Sequence, residues 1–156
     1  MEILTQYPQY EFVQSDEFLF DAADDIIYYS EPDLDHEQGQ IALLHEVSHA
    51  ELNHFDYSSD LELVVMECRA WQRTRELAKV HELSIDEVYI SDCLAGYSTW
   101  LEDRATCPDC QNFSLQTSDD TYHCFRCCTR WRITTDALDR LHQEKITTQK
   151  HSPSRG

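Results

Sequence analysis

Two histidines four positions apart, His45 and His49, with Glu46 directly after the first, form an H-E-x-x-H stretch inside "IALLHEVSHAEL". On an α-helix, positions i and i+4 lie one above the other, so both imidazoles can reach one tetrahedral ion about 2 Å from each nitrogen. Glu46 sits one step round the helix, outside the ligand pair. A carboxylate there is placed to take a proton from a metal-activated water. With 8 His among 156 residues, roughly 0.04 such matches are expected by chance, so accident is a poor explanation. The non-catalytic alternative is a buried histidine pair satisfied by local hydrogen bonds.

A catalytic zinc takes three protein ligands and leaves its fourth position open. The candidates for the third are His54, Glu62 and Glu67. His54 lies five residues past His49, about 140° round the helix, and reaches the metal only if the helix ends first. Glu67 lies eighteen residues past His49, a separation that a helix-turn-helix hairpin brings back beside it. Ala70, one turn later, is small enough to let two helices approach closely. Against this, Glu67 could be a solvated carboxylate on an acidic helix.

A second cluster has different chemistry. Cys107, Cys110, Cys124 and Cys127 spell C-x2-C-x13-C-x2-C, two hooks that each turn a pair of thiolates toward one ion, with room between them for a β-hairpin. This is the pattern of a structural four-cysteine zinc ribbon, whose metal supplies much of the folding energy. His123 and Cys128 are neighbours able to replace a ligand; Cys68 and Cys93 read as buried apolar side chains. Arg126, Arg130, Trp131 and Arg132 cluster round the second hook. They suit contact with nucleic acid or an acidic protein, or else a solvated rim with Trp131 packed beneath it.

The elements that must position these groups are legible in outline. Residues 10–30 alternate short aromatic and β-branched runs with Asp-rich breaks, the best strand being "DIIYYS". "EPDLDHEQGQ" reads as a loop. Apolar residues from Ile41 to about His54 recur on one helical face. Ser59 with Glu62 begins a second helix and Ser84 with Glu87 a third. From Ala105 onward short polar strands alternate with turns. The expected fold is α+β: residues 1–103 a zincin-like domain with a short sheet, 104–135 the zinc ribbon, and 136–156 a short helix with a flexible tail.

"LLHEVSHAELNH" followed by "ECRAW" resembles the minimal gluzincin-type zinc metallopeptidases, most closely the ImmA/IrrE-like group, over about residues 10–80. The resemblance implies His45, His49 and Glu67 as zinc ligands and Glu46 as the base. It also implies that the strand Asp25–Tyr29, with Ile26, Ile27 and Tyr28, aligns an extended substrate. Ser48 departs from the family, where glycine is common, as do Cys68 and Arg69. A regulatory endopeptidase cutting a specific protein, such as a transcriptional regulator, is the function so implied, with two zinc ions per chain. Tyr57, His54 and Tyr97 are candidates to stabilise the oxyanion. A metallohydrolase on a non-peptide substrate is one alternative, and two more stand beside it. One is a non-catalytic binding module on a zincin scaffold; the other is similarity to SprT-like proteases of DNA-associated proteins, which use a third histidine.

Charge narrows the partners. Residues 1–103 carry 24 of the 30 acidic side chains and 4 of the 12 basic ones, net −20, while residues 104–156 are at +2. The first part repels phosphate backbones, so any nucleic-acid contact belongs to the ribbon. The first residues lack the basic and apolar runs of an export signal, and no segment nears a membrane span of about 20 apolar residues. A cytoplasmic protein with reduced thiols is expected.

Overall fold

The computed structural model describes residues 2–135 and 141–146. The chain divides into two compact units, 1–97 and 98–156. The boundary falls six residues before the expected one, because a helix runs through it. The architecture is α+β, with four α-helices and two sheets among the described residues. No helix there is long and apolar enough to cross a membrane.

The first unit begins with α1 (Glu2–Gln6), β1 (Glu11–Gln14), β2 (Leu19–Asp21) and β3 (Ile26–Tyr29). Asp21 accepts the N–H groups of Ala23 at 2.9 Å and Asp24 at 3.4 Å, and Asp25 takes the left-handed conformation, which closes the β2–β3 hairpin. The strand order is β1-β3-β2, with β1 parallel and β2 antiparallel to β3. Strand β3 is therefore central and has no free edge. This overturns the expectation that a substrate pairs along Asp25–Tyr29: both hydrogen-bonding edges are taken, Ile27 is fully buried in the core, and Ile26 and Tyr28 are half-buried.

Helix α2 (Glu37–Glu51) starts earlier than the apolar periodicity suggests. The supposed loop before it is a 3-10 turn, Pro32–Asp35, followed by the first helical turn. Gly39 makes that junction possible, since a Cβ there would stand 2.0 Å from the Asp33 carbonyl oxygen. Leu43, Leu44 and Val47 are fully buried against Ile27 and the rest of the core; each such side chain contributes about 1.5–3 kcal/mol. The helix stops in a Schellman turn. Asn53 takes φ 54°, its N–H donates to Ala50 O, and the N–H of His54 donates to His49 O, each at 3.1 Å.

Helix α3 (Asp60–Val80) is capped as the sequence predicts: Ser59 Oγ accepts the Glu62 N–H at 3.2 Å, and Glu62 reaches back to Ser58. Ala70, fully buried, lets α3 lie close along α2. Helix α4 (Glu87–Ala105) is capped by Asp86, whose carboxylate accepts the Val88 N–H at 2.9 Å, and not by Ser84.

The second unit holds β4 (Leu115–Ser118), β5 (Thr121–His123), β6 (Arg130–Thr135) and β7 (Leu141–Lys145), an antiparallel sheet in that order. Leu141–Lys145 is a strand where a helix was expected, because five residues pair with β6 and Leu141 packs on the small core. The rest of the expected helix and tail lies outside the described residues. Trp131 is fully buried, stacked on Tyr122 at 5.5 Å, and donates its indole N–H to Arg104 O at 3.0 Å.

Candidate functional site

The three nominated ligands of the first unit converge. His45 Nε2 lies 3.3 Å from Glu67 Oε2, His49 Nε2 lies 3.5 Å from Glu67 Oε1, and the two Nε2 atoms are 3.2 Å apart. One donor atom from each falls within 4.8 Å of the others. Helix α2 supplies the histidines on one face and α3 brings Glu67 back alongside, as the eighteen-residue spacing requires. Glu67 is 6% exposed. Burial pushes its carboxyl up, yet hydrogen bonding and charge from the two imidazoles outweigh this and hold it down at about 2.

Whether these residues fit a metal can be read from their outer edges. His45 Nδ1 faces Thr74 Oγ1 at 3.4 Å, and His49 Nδ1 faces His54 Nδ1 at 3.0 Å. Rings bonded outward through Nδ1 turn their Nε2 atoms inward, onto each other and onto a carboxylate. With the ring protons on the outward Nδ1 atoms, the Nε2 lone pairs would face one another and the carboxylate, an arrangement that a cation between them relieves, and a two-histidine, one-carboxylate donor set suits zinc. His45 is further clamped by Trp71, stacked on it at 4.0 Å. The Trp71 indole N–H is buried with no partner.

Glu46 stays outside the ligand set. Its Oε2 accepts the backbone N–H of Phe20 at 2.8 Å, so strand β2 holds the carboxylate beside the histidines. All four side chains line a cleft of about 560 Å³, with Phe20, Phe55, Leu63 and Met66 as apolar wall and Tyr57 and Tyr97 as hydroxyl donors. Burial first, then the negative charge of Glu67, push the ionisation of Tyr97 well above the ordinary range, so it remains a neutral phenol. A second hollow of about 460 Å³, near Leu4, Leu34 and Val80, has no convergent ligand set among the described residues.

The remaining candidates for the third ligand fall away for physical reasons. Glu62 is committed to Ser58, at 2.7 Å to its N–H and 2.6 Å to its hydroxyl. His54 does return when the helix ends, but onto the outer nitrogen of His49. Burial, then the neighbouring His49, lower its affinity for a proton. Ile26, Ile27 and Tyr28 are absent from the cleft lining; β2 takes their place. Thr74 went unnoticed in the sequence, although it stands seven residues past Glu67 on the same face of α3, as Trp71 does at four.

In the second unit the four cysteines meet with one sulfur from each hook paired across: Cys107 to Cys127 and Cys110 to Cys124, both at 3.5 Å. Cys107 and Cys124 are buried. The backbone N–H of Cys127 donates to the Cys124 sulfur and holds that thiol down at about 6, with lesser help from Ser114 and Arg126. Cys127 is lowered too, by hydrogen bonds from Thr129, whereas Cys110, despite the Asn112 N–H, is pushed up to about 12 by burial and its neighbouring sulfurs; four sulfurs gathered this closely fit a zinc ion. Cys128 is exposed in the left-handed conformation just after the second hook. Cys68 is also exposed and Cys93 only half-buried, against the expectation of two core thiols. Burial of Trp131 removes the stacking ring from the basic cluster, leaving Arg126, Arg130 and Arg132 at the surface.

The chain matches no family model, no curated protein and no solved structure.

Proposed function

We propose that residues 1–97 act as a zinc-dependent endopeptidase of the zincin kind, with His45, His49 and Glu67 holding the metal and Glu46 serving as general base. The observation that carries this reading is a three-ligand cluster lining an open cleft, with a carboxylate held beside it and outside the ligand set. Bound there, zinc would supply Lewis acidity, polarising a carbonyl and bringing the ionisation of water toward neutral pH.

The protein groups do the rest. Glu46 takes a proton from the attacking water as its oxygen adds to the peptide carbon, then delivers that proton to the amide nitrogen as the C–N bond breaks. Tyr97, a neutral phenol in the cleft, donates a hydrogen bond to the developing oxyanion. The peptide lies extended in the cleft beside β2, whose Phe20 N–H is already held by Glu46, and places apolar side chains against Phe20, Phe55, Leu63 and Met66. Likeness to the ImmA/IrrE group in the H-E-x-x-H and "ECRAW" stretches supports a specific protein substrate. The four-cysteine unit holds a second, structural zinc.

The test is Glu46→Gln, with zinc content and cleavage of a peptide library followed together. Unchanged zinc with hydrolysis reduced by about 10²–10⁴-fold is expected. A variant that cleaves as fast as the wild type refutes the assignment.

A further inference from the structure

The outer nitrogens of the two ligand histidines meet an imidazole and a hydroxyl. His54, at the end of the Schellman turn, is joined to His49 twice, by its backbone N–H to His49 O at 3.1 Å and by Nδ1 to Nδ1 at 3.0 Å. The same turn that stops the helix therefore presents this imidazole edge-on to the ligand. On the other ligand, Thr74 is fully buried and donates its one hydroxyl proton to Ala70 O at 2.8 Å. Toward His45 Nδ1, at 3.4 Å, Thr74 Oγ1 can then only accept. Ser48, also fully buried, packs its hydroxyl 3.1 Å from that of Thr74 and donates to Leu44 O at 2.7 Å.

We infer that His54 and Thr74 are the positioning residues of the metal centre: each accepts the Nδ1 proton of one ligand, His54 from His49 and Thr74 from His45, leaving both Nε2 lone pairs free for the ion. The proton count requires this once the Nε2 atoms serve as ligands. A neutral imidazole carries one proton, and on each ring the only other nitrogen faces its acceptor. His54 then carries its own proton on Nε2. The second layer so formed is an imidazole and a hydroxyl in place of the carboxylate that commonly orients a ligating histidine. Ser48 belongs to the same device, since its hydroxyl fills the space beside Thr74 that glycine would leave empty. The inference rests on the reading of His45, His49 and Glu67 as a zinc site.

The experiment is a zinc titration of the full chain against a chromophoric chelator, with the four-cysteine site as internal reference. His54→Phe keeps a ring and removes the acceptor; His54→Asn removes the ring and keeps an acceptor. Thr74→Val keeps the shape and removes the oxygen; Thr74→Ser restores it. Expected is a loss of about 10–100-fold in affinity at the His45 centre for the Phe and Val variants, recovery of most of it for Asn and Ser, and an unchanged cysteine site. In the zinc-loaded wild type, nitrogen NMR shifts should place protons on Nδ1 of His45 and His49 and on Nε2 of His54. Equal affinity for His54→Phe and wild type, no advantage of Asn over Phe, or an Nδ1 proton on His54 overturns the inference while leaving the zinc site standing. Wild-type protein that takes up zinc only at the cysteines overturns the zinc reading, and the inference with it.

Discussion

The two ligand clusters of this chain are built to opposite plans. Four cysteines come from two short hooks in a unit whose core is little more than Tyr122, Trp131 and Ile133 beside the sulfurs. His45, His49 and Glu67 come from two long helices that also pack through apolar side chains, Leu43, Leu44, Val47, Ala70 and Trp71. The first cluster is closed, with four donors facing one another; the second has three donors and opens into a cleft. In the first plan a bound metal would be part of the core; in the second the core would be a mount for one. The difference predicts which unit depends on its ion.

The largest expected effect follows directly. Cys107→Ala, or chelation, should unfold the four-stranded unit, because structural zinc sites of this kind contribute about 10–16 kcal/mol of apparent binding free energy. Tryptophan fluorescence would report it through Trp131, while the helical signal of residues 1–97 persists. A four-stranded unit still ordered without metal would break the comparison. In the other direction, His49→Ala should leave the first unit folded, with far-ultraviolet circular dichroism unchanged, and remove its zinc.

Smaller effects sharpen the contrast from the side of the scaffold. Gly39→Ala drives a Cβ into the Asp33 carbonyl oxygen; overpacking of this sort costs about 1–3 kcal/mol, so calorimetry should show the melting of the first unit lowered and that of the chelator-sensitive unit unmoved. Smallest is the cap of α4. Asp86→Ala should cost about 1 kcal/mol, and Ser84→Ala next to nothing, by thermal denaturation.

Much of this was legible in the sequence wherever the chemistry is local. The H-E-x-x-H and C-x2-C spacings are set by one helix and two hooks, and Glu67 required only the step of folding α3 back on α2. What escaped depends on strand order and chain reversal. "DIIYY" reads correctly as a strand, yet nothing in its residues says that β1 and β2 flank it on both sides. His54 reads as a ligand or a proton donor until the Asn53 turn aims it at the far nitrogen of His49. Thr74 and Ser48 look like ordinary helix residues, and their roles come from two helices meeting. Trp131 could have been placed from sequence, since the alternation Arg130, Trp131, Arg132, Ile133 puts the indole on the buried face of β6. Leu141–Lys145 was misread because its strand character comes from pairing with β6.

The central claim is that two independent zinc centres share this chain, one holding the fold and one facing a substrate. Zinc content per chain, measured on protein purified without chelator for the wild type, His45→Ala and Cys107→Ala, tests it most directly. The account predicts two zinc ions in the wild type and one in each variant. A single ion that disappears with Cys107→Ala and is untouched by His45→Ala, with no second uptake when zinc is added, would contradict it.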